Sequence, residues 1–204
     1  MMTLILFGTA LAGCLGSEES DETETETAAV VVTDAGYTYA SNVDNHRALM
    51  KDLCDIKSAA SSDGGYDFAT AKDIYTNGKN AEKSDGSFRT LAGFASADGK
   101  NHGYDAYYNM SGSVDAHITA AMDGTGDFAG TSDTVRYQGI AKLTANMGMV
   151  AYTIHELNSA VAKADAGNVD NDSGAPHNWD AVSYTHLRAH ETEADLVCRL
   201  LLEK

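Results

Sequence analysis

The longest regular pattern of apolar positions lies between residues 132 and 167. Apolar side chains recur there every three or four residues, which is the spacing of one face of an α-helix. They are Ile140, Leu143, Met147, Val150, Ile154, Leu157 and Val161. Ser132 or Asp133 can cap the start of this helix, and Gly167 can end it. The spacing predicts one long helix from about Asp133 to about Ala166, with the apolar row buried.

Three shorter segments show the same helical spacing, at residues 43–60, 67–76 and 113–122. Turn-forming residues rich in Gly, Ser and Asn follow the first two, and Gly-rich breaks flank the third. No comparable run of alternating apolar and polar residues is present. The pattern therefore predicts an all-α fold, a helical bundle built on one long central helix.

The N-terminal end has the features of an exported protein. Residues 3–12 form an apolar run of signal-peptide length, too short to span a bilayer. Leu11-Ala12-Gly13-Cys14 resembles the lipobox of prokaryotic lipoproteins, so we predict a signal peptide over residues 1–14 and a candidate lipidation site at Cys14. Residues 15–29 are acidic and rich in Ser and Thr, so we predict a disordered tether there. The alternative is a cleaved signal peptide with an incidental cysteine.

The C-terminal end differs from the rest of the chain. Residues 182–204 resemble one reading frame of a transposase-type sequencing adapter. That frame requires Asp, Asn, His or Tyr at position 195 and Ala, Pro, Ser or Thr at position 181, and the chain has Asp195 and Ala181. We therefore expect 182–204 to be an artefact that packs poorly, and the helical domain, 30–181, to be truncated at its C-terminal end.

The charge balance narrows the choice of partners. The chain has a formal net charge of −16 and no basic cluster, which argues against a nucleic-acid partner. An acidic surface suits a protein that handles cations, and contact with a membrane is expected only through the N-terminal lipid. Cys54 is the one cysteine of the predicted domain, and it is either a buried thiol or paired with a partner in the part of the protein that was cut off.

Two groups of side chains can bind a metal ion. Tyr152, His155 and Glu156 fall within one helical turn, on a different side from the apolar row. A second group contains Tyr104, Tyr107 and Tyr108. Phenolate and carboxylate oxygens are hard donors suited to Fe(III), and imidazole suits iron as well. The alternative for both groups is packing, of Tyr152 on a neighbouring helix and of the other tyrosines in a loop.

Residues 165–174 carry closely spaced Asp and Asn residues. Their spacing departs from the calcium-binding loop pattern, so we predict an Asx-rich turn. No GxSxG, HExxH, Walker or dinucleotide-binding motif is present, and we do not expect an enzyme. Two other functions stay open: a structural or adhesive surface lipoprotein, and a metal-dependent hydrolase that uses His155 and Glu156.

Three stretches together resemble a known family. They are AKDIYTNGKNAEKSDGSFRTLAGFA (71–95), MVAYTIHELNSA (149–160) and GAPHNWDA (174–181). They are similar to the low-iron-inducible periplasmic proteins, the iron-assimilation proteins of algae that are related to phytotransferrins. The resemblance implies an exported protein, periplasmic or at the cell surface, that captures Fe(III) without turnover.

The resemblance also adds candidate ligands. His177 and Asp180 lie in the third stretch, and Tyr75 and Arg89 lie in the first. Arg89 can hold a synergistic anion such as carbonate, because its planar guanidinium suits carboxylate-like groups. The alternative role for Arg89 is a structural salt bridge.

Overall fold

The computed structural model describes residues 33–34, 37–96, 100 and 102–189, and the side chains of 37–96, 100 and 102–183. About 65% of this part of the chain is helical and almost none of it is strand, which confirms the all-α prediction. The helices are α1 (Asp44–Ala60), α2 (Phe68–Asn77), α3 (Leu91–Ala95), α4 (Tyr104–Tyr108), α5 (Ser113–Asp123), α6 (Asp133–Leu143), α7 (Val150–Asp165) and α8 (Ala175–Ala189). A 3₁₀ turn covers Gly126–Phe128, and two short strands, β1 (Thr33–Asp34) and β2 (Tyr37–Thr38), pair antiparallel.

The three shorter predicted helices are confirmed as α1, α2 and α5. Asp67 caps α2, because its side chain accepts a hydrogen bond from the Thr70 amide at 2.9 Å. Gly78 ends α2 at φ 76°, where a Cβ atom would lie 2.7 Å from the Phe88 Cβ. A residue with a side chain would therefore meet both strain and a clash at that position.

The long helix is present but is not uniform. It is continuous over 33 residues, with a π-helical turn, Thr144–Met149, between α6 and α7. Its most regular row of buried positions steps by four residues: Ile140, Thr144, Gly148, Tyr152, Glu156 and Ala160. The helix prediction is confirmed in length and central place.

The predicted apolar row of this helix is buried only at Ile140 and Met147. Val150, Ile154 and Leu157 are only half-buried, as is Leu143, and Val161 is 60% exposed. The prediction assumed a constant α-helical period, whereas a π turn accommodates one additional residue, equivalent to a rotation of about 100°. The side chains of Tyr152 and Glu156 therefore face the core.

The core lies where the long helix meets α1, α3 and α5, and α2 packs on these three shorter helices. Its fully buried large side chains are Tyr75, Tyr152, Leu49, Ile56, Leu91, Ile118, Ile140 and Val114. Helix α8 packs along α7 and also contacts α1. Cys54 on α1 is buried and disulfide-bonded, and both other cysteines, Cys14 and Cys198, lie outside the described residues.

The C-terminal helix continues past the predicted domain boundary. Val182 and Ser183 are buried, so the expectation that residues 182–204 pack poorly is wrong for these two. The side chains from 184 onward lie outside the described part, as do the predicted signal peptide and tether. The predicted Asx-rich turn is confirmed: Asp170 Oδ1 accepts hydrogen bonds from the backbone of Asp172 and Ser173 and from the Ser173 hydroxyl.

Candidate metal site

A buried histidine–tyrosine pair lies between α1 and α7. The Nδ1 atom of His46 is hydrogen-bonded to the phenol oxygen of Tyr152. Tyr152 is fully buried, and His46 is 2% exposed. The Phe94 ring packs edge-on against Tyr152, with the ring centroids 4.4 Å apart. The pair is thus closed off from water on the α3 side.

The second ring nitrogen of His46, Nε2, is buried and has no hydrogen-bond partner among the described residues. Buried polar atoms are rarely left without a partner, so an exception indicates an unseen water, an ion or a functional role. This atom is the strongest single indication of a binding site in the described part of the chain.

A third helix brings a second imidazole to the pair. The His177 ring, on α8, lies edge to face against His46, with the centroids 5.3 Å apart. His177 is half-buried, and its Nδ1 atom lies 2.9 Å from the Ser41 hydroxyl. Two imidazoles and one phenol, contributed by α1, α7 and α8, therefore form one cluster, called here the His46–Tyr152–His177 cluster.

A cationic side chain lies near this cluster. The Arg89 guanidinium is close enough to disfavour protonation of both His46 and His177. Its Nε atom donates to Asn45 Oδ1 at 3.0 Å, and no carboxylate of the described residues forms an ion pair with it. The predicted alternative of a structural salt bridge is therefore absent among the described residues.

A buried carboxylate lies one turn along α7 from Tyr152. Glu156 is 4% exposed, and its Oε2 atom accepts a hydrogen bond from Asn178 Nδ2. Asn178 Oδ1 in turn accepts from Lys163 Nζ at 2.6 Å. This chain of contacts holds α8 against α7.

Burial sets the protonation of the cluster. It lowers the pKa of His46 to about 2, with the charges of Arg89 and His177 adding to the effect. Burial also raises the pKa of Tyr152 well above its ordinary value, and the negative charge of Glu156 raises it further. At neutral pH the metal-free cluster therefore holds a neutral imidazole and a neutral phenol. A bound cation would displace the phenol proton.

Asp180 lies beside the cluster, on α8, and is fully buried. Its Oδ1 atom accepts from the Tyr37 phenol at 2.7 Å, and Oδ2 accepts from the amides of Ala40 and Ser41 at 2.8 and 2.9 Å. Burial and this contact raise the pKa of Tyr37 to about 12. Asp180 thus fastens residues 37–41 onto α8.

The other predicted ligands lie at the edge of the cluster or away from it. His155 is half-buried, with Nε2 3.4 Å from Lys100 Nζ and its ring 5.9 Å from that of Phe94. Tyr75 is fully buried and its phenol donates to Asp115 at 2.8 Å, in contact with α5. Neither has a described hydrogen bond to His46, Tyr152 or His177.

The tyrosines predicted to lie in a loop are on the short helix α4. Tyr107 is 82% exposed, and Tyr108 packs against His117 with the ring centroids 4.6 Å apart. Tyr104 contacts His102 and lies near the carbonyl of Asn146. None of the three has a described hydrogen bond or ring contact with Tyr152, so they form a separate surface.

Sequence reasoning missed His46, Ser41 and Asn178. His46 is on the same side of α1 as Leu49, Met50 and Leu53, which was the available signal: an imidazole in the apolar face of a helix. Ser41 and Asn178 gave no signal, because their roles depend on contacts between distant parts of the chain.

No three or more His, Cys, Asp or Glu side chains of the described residues are arranged to hold a metal ion. The cluster contributes two of these side chains, and tyrosine is not among the four types. Within the same residues, no helix is both long enough and apolar enough to cross a membrane.

A sequence model of the low iron-inducible periplasmic protein family matches residues 10–197. The match covers most of the chain, from the predicted lipobox-like segment to beyond α8. No curated protein and no solved structure matches the chain.

Proposed function

Because the chain belongs to the low iron-inducible periplasmic protein family, we propose that it captures Fe(III) outside the cytoplasm. Capture without turnover is sufficient for iron assimilation, and no chemical step on a substrate forms part of the proposal. The observation that supports it best is the buried His46–Tyr152 pair, in which His46 Nε2 has no partner among the described residues.

Three donor groups of the cluster fit Fe(III). Tyr152 would supply a phenolate, a hard anionic oxygen, and His46 and His177 would supply imidazole nitrogens. Glu156 adds a buried carboxylate one turn away from Tyr152. His155 lies at the edge of the cluster, near Lys100, and takes no part as a ligand in this proposal.

Arg89 would hold an anion that binds together with the metal. Its guanidinium is close enough to affect both histidines of the cluster, and it has no carboxylate ion pair within the part of the chain that the structure describes. A planar anion such as carbonate suits the paired donors of a guanidinium. The anion would also offset the positive charge that Fe(III) brings into a buried site.

The experiment is a titration of the metal-free full chain with Fe(III) supplied as ferric citrate. Binding through a phenolate produces a visible charge-transfer band, and Tyr152→Phe should abolish that band because it removes the oxygen and keeps the ring. Tyr75→Phe is the matched control, because Tyr75 is equally buried but is hydrogen-bonded to Asp115. The control should retain the band.

A folded wild-type chain that gives no such band would contradict iron capture through tyrosinate. The same would follow if Tyr152→Phe and wild type were indistinguishable. A folded chain that binds no metal at all would instead favour a structural or adhesive role at the cell surface.

Retention at the membrane through lipid on Cys14 is a separate part of the proposal. It rests on the lipobox-like sequence Leu11-Ala12-Gly13-Cys14. Cys14→Ser should move the expressed protein from the membrane fraction to the soluble fraction of the cell. Unchanged fractionation would contradict the lipid anchor, and the proposal of iron capture would not be affected.

A further inference from the structure

Ser41 lies between His177 and Asp180. Its Oγ atom is 2.9 Å from His177 Nδ1 and 3.3 Å from Asp180 Oδ2. Asp180 is fully buried, and its other partners are the Tyr37 phenol and the amides of Ala40 and Ser41. All of these groups donate to Asp180, so its two oxygens act as acceptors in every one of these contacts.

The contacts of Ser41 determine where the proton of His177 lies. A hydroxyl group has one proton to donate, and a carboxylate can only accept. If the Ser41 hydroxyl donates to Asp180, it must accept from His177. A neutral imidazole carries one N–H, so that proton is on Nδ1 and the lone pair is on Nε2.

We propose that Ser41 and Asp180 are positioning residues that fix the proton of His177 on Nδ1 and so leave Nε2 free to bind Fe(III). This inference rests on the proposed function, in which His177 is a ligand. In this proposal Asp180 acts on the ligand His177 through Ser41. It does not bind the metal directly, in contrast to what the family resemblance suggested. The described hydrogen bond of the His177 ring is made by Nδ1.

Metal-binding histidines commonly use this arrangement. The ring nitrogen that does not bind the metal donates to a carboxylate, a carbonyl or another acceptor, which fixes both the tautomer and the ring orientation. Here the carboxylate acts through a hydroxyl group. The backbone bonds to Asp180 hold Ser41 in place, so the acceptor for His177 is present before the metal arrives.

The first measurement is made on the metal-free full chain, labelled with ¹⁵N in its histidine rings, at a pH where the rings are neutral. The ring-nitrogen spectrum of His177 should show the proton on Nδ1. In Ser41→Ala it should shift toward the Nε2–H tautomer, which free histidine favours in water. Ser41→Thr keeps the hydroxyl and should behave as wild type. His155 is the internal control, because it has no contact with Ser41.

The second measurement is the affinity for Fe(III), supplied as ferric citrate. Ser41→Ala should weaken it by roughly 10- to 100-fold, the usual cost of losing the partner of a ligating histidine. Ser41→Thr should restore the affinity. In the background His177→Ala, the further change Ser41→Ala should have no additional effect.

An Nε2–H tautomer in the wild type would overturn the proposal, as would an unchanged tautomer or an unchanged affinity in Ser41→Ala. If the wild type bound no Fe(III), the proposed function would fail. The ring-nitrogen spectrum would still decide separately whether Ser41 and Asp180 fix the proton.

Discussion

His46 and Tyr152 are buried polar side chains that share their one described hydrogen bond. The free-energy penalty for burying either side chain therefore depends on the presence of the other. A buried polar group that loses its partner is penalised, whereas removal of both partners leaves an apolar contact that can be nearly neutral. The pair should behave as a unit, in stability as well as in metal binding.

This coupling can be measured with the variants His46→Leu and Tyr152→Phe and their combination. Each single variant should lower the free energy of unfolding of the metal-free chain by about 1–3 kcal/mol, because one buried polar atom is left unpaired. The double variant should lose less than the sum of the two. Urea denaturation provides the values, and additive losses would show that the two residues are not coupled.

At the scale of elements, α8 is held on α7 by a polar contact as well as by packing. Asn178 donates to the buried carboxylate of Glu156 and accepts from Lys163. One amide thus satisfies an anion and a cation of α7 at the same time. Because the same α8 carries His177, this contact also determines how the second imidazole approaches His46.

Asn178→Ala should lower the free energy of unfolding by about 2–3 kcal/mol, since it leaves a buried carboxylate oxygen without a donor. Asn171→Ala, on the exposed turn before α8, is the control and should change the value by about 0.5 kcal/mol or less. Thermal or urea unfolding of both variants distinguishes them. Equal losses would mean that the Glu156–Asn178 contact contributes nothing specific.

At the scale of the whole molecule, the folded state disfavours the protonation of three histidines. Burial is the leading cause of the lowered pKa of His46, His155 and His177. When the pH falls below the ordinary pKa of 6.5, the unfolded chain takes up protons that the folded chain does not. The contribution of these histidines to the free energy of unfolding is therefore largest above pH 6.5, and it decreases as the pH falls.

For His46 this loss should extend from pH 6.5 down to about 2, the pKa of the folded state. Its slope is about 1.4 kcal/mol for each pH unit. The metal-free wild type should thus lose stability faster than His46→Leu between pH 6.5 and pH 4. Urea denaturation at several pH values measures both slopes, and parallel curves would contradict the buried neutral state of His46.

The sequence predicted the helices better than the side chains that meet between them. Spacing alone located α1, α2, α5 and the long helix, because each has a repeating apolar face and a clear end. It missed α3 and α4, which are too short to establish a period. It also missed α8, because most of that helix lies in residues 182–204, which the sequence predicts to be an artefact, and 175–181 alone are too short to show a period.

Part of the candidate site could be predicted from the sequence. Tyr152 and Glu156 were proposed from their position within one turn, and Arg89 and His177 from the family resemblance. His46 was not proposed, because one histidine in an apolar row resembles ordinary packing. The contact between Asp180 and residues 37–41 could not be predicted, since it joins positions about 140 residues apart in the chain.

The π turn between α6 and α7 determines which face of residues 150–165 is buried. With this turn in place, the buried face is the one that carries Tyr152 and Glu156. In a strictly α-helical phase the same residues would rotate by about 100°. The half-buried row of Val150, Ile154 and Leu157 would then turn toward the interior, as the uniform period predicted. The one additional residue in this turn thus determines which side chains of α7 lie in the interior. They are a phenol and a carboxylate, and without that residue they would be aliphatic.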